Sequence, residues 1–378
     1  MRIRIDAGLL SEMVSTVSQA IESKPVRPEY ECVYIEVDTQ SGTPIMTAMC
    51  RGGGMAIKKV TDHIEAVEDG NALIPAKTLL AFIKLMNGEI LMDVDANGKC
   101  TLKCGSKKTG IVGMIADDYP SDFSADNDWK LVKMDGEGFE KLVNSTLHCV
   151  SEDTGRMVLT GINFAFDPET GKCEATGLDG FRMAIASKNA ETNDFINATI
   201  PATGAKLIAK IIKTGKDVSF RFGTGSVLVE DYDTAIEAPL LDGKYMDTKQ
   251  IKVETGKAEV HINVGDMLDA VRLAMVTASD SAKGLIILRF EDDVLRISAN
   301  SDRSEAVSSI ACEINGDIDC AREIAFNGKY VDEALKASME YAGEATLLLN
   351  APASPMGIIP VGRDDYYQLA LPVRRFSA

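Results

Sequence analysis

Apolar and polar positions along this chain follow a helical period in a few stretches and a two-residue period in many more. Leu207, Ile208, Ile211 and Ile212 recur with helical spacing, and Lys206, Lys210 and Lys213 fall within about 60° of one another on the opposite face. The pattern spans residues 200–213. It stands again 126 residues earlier, from Ile74 to Lys84, and 126 residues later, from Phe326 to Lys336. Pro75, Pro201 and Asn327 open the three predicted helices, and Pro suits a first helical turn, where its missing N–H costs nothing. Lys84, Lys210 and Lys336 thus share one repeated position on a polar face. Three times 126 is 378, the length of the chain, so it reads as a triplicated unit.

Each copy carries a second amphipathic helix. Asp6 is placed to cap the first, whose stripe runs Leu9, Leu10, Met13, Val14, Val17, Ala20 and Ile21 until Lys24-Pro25 stops it. Phe139, Leu142, Val143, Leu147 and Val150 form the stripe of the next, with Asp135 as cap, and Met267, Leu268, Val271, Met275 and Ala278 that of the third. Between helices the two-residue period predicts strands, among them 32–38, 43–50, 55–60, 89–95, 99–104, 109–114, 159–166, 172–176, 182–187, 285–290, 294–299, 305–310, 345–350 and 366–371. Asn97-Gly98 predicts a two-residue hairpin, and 117–128, with Pro, Ser and five Asp, a linker. The expected boundaries are 1–129, 130–253 and 254–378. Two one-sided helices per unit, laid on antiparallel sheets, make the fold class α+β.

Composition narrows the function. The net charge is −17, divided −6, −3 and −8 over the three units, so the middle unit, with the lysine-rich helix, is the least acidic. Such a total argues against a protein coated with nucleic acid but permits a local basic lining. A run of 18 apolar residues is absent, which excludes a helical membrane span, and the charged alternation of residues 1–6 is not a signal peptide; a cytoplasmic location is expected. The eight cysteines lack the paired spacing of a metal site and are expected to be reduced and structural, with no cofactor.

An enzyme is the main alternative class. Arg51-Gly-Gly-Gly54 lacks the spacing of a phosphate loop and falls between strands, where it reads as a hairpin turn; Glu291-Asp-Asp293 and Asp364-Asp365 read as solvated turns rather than metal ligands. No catalytic constellation remains. A protein-interaction scaffold without DNA is the third class.

Four ordered segments, 156–164, 178–184, 326–335 and 371–374, resemble those of the bacterial DNA polymerase III β subunit, the sliding-clamp family. Asp117-Asp-Tyr-Pro120 is similar to that family's acidic-aromatic-proline junction, and Lys24-Pro25 to its basic turn near DNA. The resemblance covers the whole chain. It implies three tandem clamp domains forming half of a closed ring, and a head-to-tail homodimer around duplex DNA. It further implies a non-enzymatic processivity factor that tethers the DNA polymerase catalytic subunit and other proteins bearing clamp-binding motifs, loaded by a separate ATP-dependent clamp loader.

Residue by residue, the resemblance places a peptide-binding cleft at Val158, Leu159, Leu178, Gly180, Phe181, Arg182, Met183, Met246, Ile251, Asn327, Tyr330, Ser354, Leu369, Leu371, Pro372, Val373 and Arg374. Phe181 stands where the family commonly has His, Met246 where Pro is usual, and Gln250 where a basic residue is frequent; the end runs on as 375–378. DNA contacts are expected at Lys24, Arg27, Lys77, Lys84, Lys206, Lys210, Lys213 and Lys336, spaced positive charges that meet phosphates without reading bases. Glu333, also on the third helix, is expected to be exposed and to weaken that lining. The dimer contact is expected to join Lys103, Lys107, Lys108, Thr109 and Ile111 to Val276, Thr277, Asp302 and Glu305, with basic side facing acidic side.

Overall fold

The computed structural model describes residues 1–40, 42–124, 128–278 and 284–374. The chain begins with β1 (Arg2–Asp6), α1 (Ala7–Val17), β2 (Cys32–Asp38), β3 (Ile45–Gly52), β4 (Met55–Thr61), β5 (Glu65–Glu68), β6 (Gly70–Pro75), α2 (Ala76–Ile83), β7 (Glu89–Val94), β8 (Lys99–Cys104) and β9 (Lys107–Val112). There follow β10 (Lys130–Met134), α3 (Gly136–Thr146), β11 (Gly161–Asp167), β12 (Lys172–Leu178), β13 (Arg182–Asn189), β14 (Glu191–Thr192), β15 (Ile196–Pro201), α4 (Ala202–Ile212), β16 (Val218–Phe222), β17 (Ser226–Asp231) and β18 (Thr234–Pro239). The last stretch holds β19 (Ala258–Asn263), α5 (Val264–Ala278), β20 (Leu285–Glu291), β21 (Val294–Asn300), β22 (Glu305–Gly316), β23 (Glu323–Asn327), α6 (Gly328–Met339), β24 (Glu344–Leu349), β25 (Met356–Pro360) and β26 (Tyr366–Ala370). The helices α2, α4 and α6 begin at Ala76, Ala202 and Gly328, in step with the sequence period.

The fold is α+β with large antiparallel sheets, divided into two compact units. Unit 1 comprises residues 1–137, 191–194 and 206–240; unit 2 holds 138–190, 195–205 and 241–378. Unit 1 contains a five-stranded sheet, β5-β1-β7-β8-β9, and a nine-stranded one, β14-β10-β16-β17-β18-β4-β3-β2-β6. Leu10, Met13, Val14 and Val17 of α1 are fully buried, as the helical stripe requires, and Asp6 Oδ1 caps the helix by accepting from Gly8 N (2.8 Å) and Leu9 N (3.1 Å). Unit 2 contains a twelve-stranded sheet, β15-β11-β12-β13-β26-β25-β24-β19-β22-β21-β20-β23. One core cluster packs Met267 and Val271 of α5 and Val331 and Leu335 of α6 with Leu288, Phe290, Ile297 and Leu347 of the strands.

Each unit contains one seam at which distant strands pair. In unit 1, β18 pairs antiparallel with β4, so Glu237, Ala56 and Arg51 stand side by side on β18, β4 and β3. In unit 2, β26 pairs antiparallel with β13, so Leu369, Met183 and Leu178 stand side by side on β26, β13 and β12. Main-chain hydrogen bonds hold both seams, and they require no particular side chain.

Several sequence expectations need correcting. The first helical stripe ends at Val17 and continues as a 3-10 turn over Ser18–Ala20; the second helix ends at Thr146, with 3-10 geometry at Leu147–Cys149. Tightened last turns satisfy carbonyls that an α-helix leaves open. The strand expected from 159 begins at Gly161, because Thr154–Thr160 forms a 3-10 segment started by Asp153, whose side chain accepts from Gly155 N. The Asn97-Gly98 hairpin is a wider turn in which Asp95 Oδ1 accepts from Asn97 N (2.9 Å) and Lys99 N (3.0 Å). The strands β5, β6, β14, β15, β18, β23 and β25 went unpredicted. Of the expected linker, 125–127 lie outside the described residues, as do 375–378. Gly53 (φ 58°) and Gly54 (φ 78°) do form a hairpin turn between β3 and β4.

Gly177, next to Leu178 on β12, has backbone packed against its face: a Cβ there would lie 2.2 Å from the Thr146 carbonyl oxygen. Gly177→Ala is expected to destabilise the protein by about 3 kcal/mol. A urea titration should show a lower midpoint with an unchanged slope.

Candidate functional site

At the end of the unit 2 seam the chain turns sharply. Asp179 Oδ1 accepts from Phe181 N (2.8 Å) and Arg182 N (2.9 Å), and Gly180 takes φ 89°, a conformation that favours glycine. The turn thrusts Phe181 outward, 60% exposed, while Leu371 N donates to Phe181 O (2.8 Å) and extends the seam beyond β26. The connector after β18 is fastened by Val253 N donating to Tyr367 Oη (2.9 Å) and Tyr245 Oη donating to Thr176 O (3.3 Å). Between connector and seam lies a cavity of about 690 Å³, with Leu178, Leu369, Leu371, Ile251 and Val253 as its apolar wall and Met246, Phe181 and Ser354 also in its lining. A trough of this kind suits bulky apolar side chains of a peptide better than any chemistry.

Arg182 is the charged centre of the site, and it is not free. Its Nε donates to Asp179 Oδ2 (3.0 Å), its Nη1 to Glu333 Oε2, and its guanidinium lies 4.3 Å from the centre of the Tyr330 ring. Burial works against its charge, but the two carboxylates more than offset this and raise its pKa. The expectation that Glu333 is a bare surface charge is therefore corrected: it is half-buried and spent on Arg182, with Lys329 at 4.0 Å. A second cavity of about 530 Å³, bordered by Ser151, Glu152, Asp153, Lys329 and Tyr330, shares Arg156, Gly180, Phe181 and Arg182 with the first. The Phe181 and Tyr330 rings stack at 6.4 Å between centroids where the cavities meet.

Of the residues assigned to the cleft from sequence, Leu178, Gly180, Phe181, Arg182, Met246, Ile251, Ser354, Leu369 and Leu371 line the first cavity, and Tyr330 the second. Val158, Leu159 and Met183 belong to the apolar cluster beneath. Asn327 instead caps α6, accepting from Lys329 N (3.0 Å). Pro372, Val373 and Arg374 line neither cavity, and Val373 N is tied to Ala325 O (2.8 Å). Sequence reading missed Arg156, Lys252, Val253, Glu254, Thr255, Asn350 and Pro355 as lining residues. The alternation of Ile251 and Val253 was their only signal.

The expected DNA-contact residues Lys24, Arg27, Lys77, Lys84, Lys206, Lys210 and Lys213 are exposed on unit 1, and Lys336 is exposed on unit 2. Their surroundings differ. Lys210 Nζ donates to Gln19 Oε1 (2.7 Å), whereas Lys336 is paired with Asp332 (2.5 Å), which also holds Arg272 (3.1 Å). Among the expected dimer residues, Lys103, Lys107, Lys108, Val276, Asp302 and Glu305 are exposed and Thr109 is half-buried. Ile111 and Thr277 are buried within their own units, each on the inward face of its element. Leu273 and Val307, also exposed, were not among the expected dimer residues.

Among the described residues no three His, Cys, Asp or Glu side chains are placed to hold a metal ion. All eight cysteines are free, and burial pushes the Cys32 thiol up to about 11 and Cys100 to about 12. No helix among the described residues is long and apolar enough to cross a membrane.

Two family models match the chain: the DNA polymerase III beta subunit central domain over residues 133–247 and its C-terminal domain over 253–374. The curated beta sliding clamp of Bacillus subtilis is 24% identical over 386 residues, and that of Halalkalibacterium halodurans 23% over 398, each alignment covering 100% of both chains. In structure, the Bacillus subtilis sliding clamp matches with a TM-score of 0.91 at 21% identity over 100% of both chains. The Streptococcus pyogenes beta subunit matches with a TM-score of 0.92 at 19% identity, over 99% of this chain and 100% of its own.

Beneath the cleft, His148 Nε2 lies 3.0 Å from Gln368 Oε1, while Gln368 Nε2 donates to Ala334 O (2.8 Å) and Ser338 Oγ (2.9 Å). The network ties α6 to the strand that carries Leu369. Burial, reinforced by the charge of Arg182, pushes the His148 pKa down to about 4. An unfolded histidine titrates near 6.5, so between about pH 6.5 and 4 the unfolded chain binds a proton that the folded chain refuses. This contribution to stability is complete above pH 6.5 and declines as pH falls to 4, by up to about 3 kcal/mol. His148→Leu should remove it, seen as a smaller fall in Tm between pH 7 and pH 5 than in the unaltered protein.

Proposed function

The chain belongs to the DNA polymerase III β subunit family, and from that premise we propose that it is a replicative sliding clamp working as a head-to-tail homodimer. The reading takes residues 1–129, 130–253 and 254–378 as three clamp domains, two chains of which close a ring around duplex DNA. Holding is topological, so catalysis is not needed. The cleft of unit 2 receives apolar anchors of the polymerase catalytic subunit and of other clamp-binding proteins, and an ATP-dependent loader opens the ring. Cytoplasmic work follows from that role.

One observation carries the dimer. At both seams the third strand of one domain's first group pairs with the last strand of the next domain: β4 with β18, and β13 with β26. Continuing the rule would pair β22 with a following β9. Among the described residues, β9 is a sheet edge, and Glu305–Ala311 of β22 pairs on one side only, with β21. Open edges invite pairing with another chain. Exposed Lys107 and Lys108 on one edge, and Asp302 and Glu305 on the other, favour the head-to-tail match over like-with-like. Leu273 and Val276, 51% and 72% exposed, supply apolar area beside the β22 edge, where Ser304 Oγ donates to Thr277 Oγ1 (3.1 Å).

A solution mass about twice the 40.7 kDa of the chain is expected. Lys107→Glu with Lys108→Glu should raise the dimer dissociation constant at low salt by at least tenfold, and adding Asp302→Lys with Glu305→Lys should restore it; an unchanged dimer would refute this pairing.

Enclosure makes a separate demand. Protein loaded onto closed circular DNA should stay bound through gel filtration at a salt concentration that abolishes ordinary phosphate contacts, and should leave when the circle is cut. Equal retention on circular and linear DNA would rule out the ring and leave the scaffold reading.

A further inference from the structure

The two seams can be compared row by row. Arg51 pairs with Ala56 across the β3–β4 hairpin with four residues between them, and Ala56 stands opposite Glu237. Leu178 pairs with Met183, again with four residues between them, and Met183 stands opposite Leu369. Arg51–Ala56–Glu237 is thus the positional counterpart of Leu178–Met183–Leu369, the row under the open cleft, which Leu178 and Leu369 line. Each seam is also overlain by a connector that buries one tyrosine to the same extent: Tyr119 and Tyr245 are both 8% exposed.

The chemistry of the two rows is opposite. In unit 1 the row is charged, and it grips the connector. Arg51 Nε donates to Pro120 O (2.7 Å) and Arg51 Nη2 to Asp122 O, while Nη1 reaches Glu237 Oε2 (3.4 Å). Ser124 N donates to the other oxygen of Glu237 (3.0 Å). Three of these contacts hold residues 120–124 against the seam, and the fourth ties Arg51 to Glu237 within it. They press the half-buried Phe123 onto the cluster of Tyr34, Met49, Leu73 and Tyr119, with Lys58 Nζ 5.5 Å from the centre of its ring. In unit 2 the row is aliphatic, nothing in it can bond to a backbone, and the cavity stands open.

We propose that the segment Pro120–Ser124 is a built-in occupant of a second, closed peptide site, and that Arg51 and Glu237 are the latch that keeps it shut. Phe123 stands where a partner's apolar anchor would sit. The inference rests on the clamp reading above, in which the unit 2 cleft takes such anchors, and it accounts for one open peptide site per chain despite two equivalent seams. Released from the latch, the unit 1 seam would accept the same class of ligand: a short peptide with adjacent leucine and phenylalanine side chains.

Isothermal titration of the full chain with a synthetic peptide of that kind tests the idea. The unaltered protein should bind one peptide per chain, and Arg51→Leu with Glu237→Leu, which copies the aliphatic row, should bind two. A folded double variant that still binds one overturns the proposal. Should that variant not fold, Phe123→Ala takes its place in a Leu371→Asp background that disables the open cleft. There it must recover binding at least tenfold over Leu371→Asp alone, and no recovery counts equally against the latch. Failure of the unaltered chain to bind any peptide would instead defeat the clamp reading, and this inference with it.

Discussion

A β-strand edge must find partners for its main-chain groups, and this requirement governs the molecule more than any side-chain contact does. The nine- and twelve-stranded sheets exist because β4 and β13 are completed by strands whose paired residues lie from 175 to 188 positions later in the chain. Such pairing is cooperative and sequence-tolerant, which fits a fold kept at a TM-score of 0.91 by a relative only 21% identical. Among the described residues it also leaves β9 and one side of Glu305–Ala311 in β22 unpaired, the edges that the proposed head-to-tail assembly would complete. A protein that holds DNA by enclosure needs no tight phosphate grip. On the clamp reading a net charge of −17 is no obstacle, because enclosure does not require the protein to outcompete counterions.

The cleft depends on a second constraint, that a buried charge needs its partners. Arg182 sits under an apolar trough with Asp179 on one side and Glu333 on the other, and Tyr330 shields its face. Removing both carboxylates would leave an uncompensated guanidinium, an error of about 3–5 kcal/mol by the behaviour of buried pairs. With both present, the trough has an aliphatic wall beside an Arg182 whose charge is compensated. Exposed Phe181 and Met246 add adaptable apolar area at its mouth.

Much of this was legible in the sequence, and the boundary is physical. Helices α2, α4 and α6 declare themselves because a 3.6-residue stripe is local, and their common register survives as Lys84, Lys210 and Lys336. Glycine-rich turns and the Asp6 cap were visible for the same reason, whereas the apolar cleft residues came from the family resemblance. What was not visible lies far apart in the chain: Arg182 with Glu333 is a 151-residue separation, and Arg51 with Glu237 is 186. Periodicity cannot report such pairs, so Glu333 was misread as surface and Arg51 as mere turn punctuation. Inward and outward faces of an edge strand are likewise invisible until the partner strand is known, which is why Ile111 was grouped with the exposed Lys108.

The contrast between the seams shows how one backbone arrangement supports a fixed contact in one place and an exchangeable one in another. A guanidinium and a carboxylate satisfy carbonyls and amides, which every peptide segment has, so such a row binds backbone and favours whatever segment is tethered nearby. Tethering supplies an effective concentration in the millimolar range, which no free partner matches. An aliphatic row offers backbone nothing and discriminates by side-chain shape alone, so its own connector gains little by lying on it and the trough stays vacant for ligands with the right anchors. On this reading, leucine in place of arginine and glutamate in one row of three strands would turn a staple into a receptor.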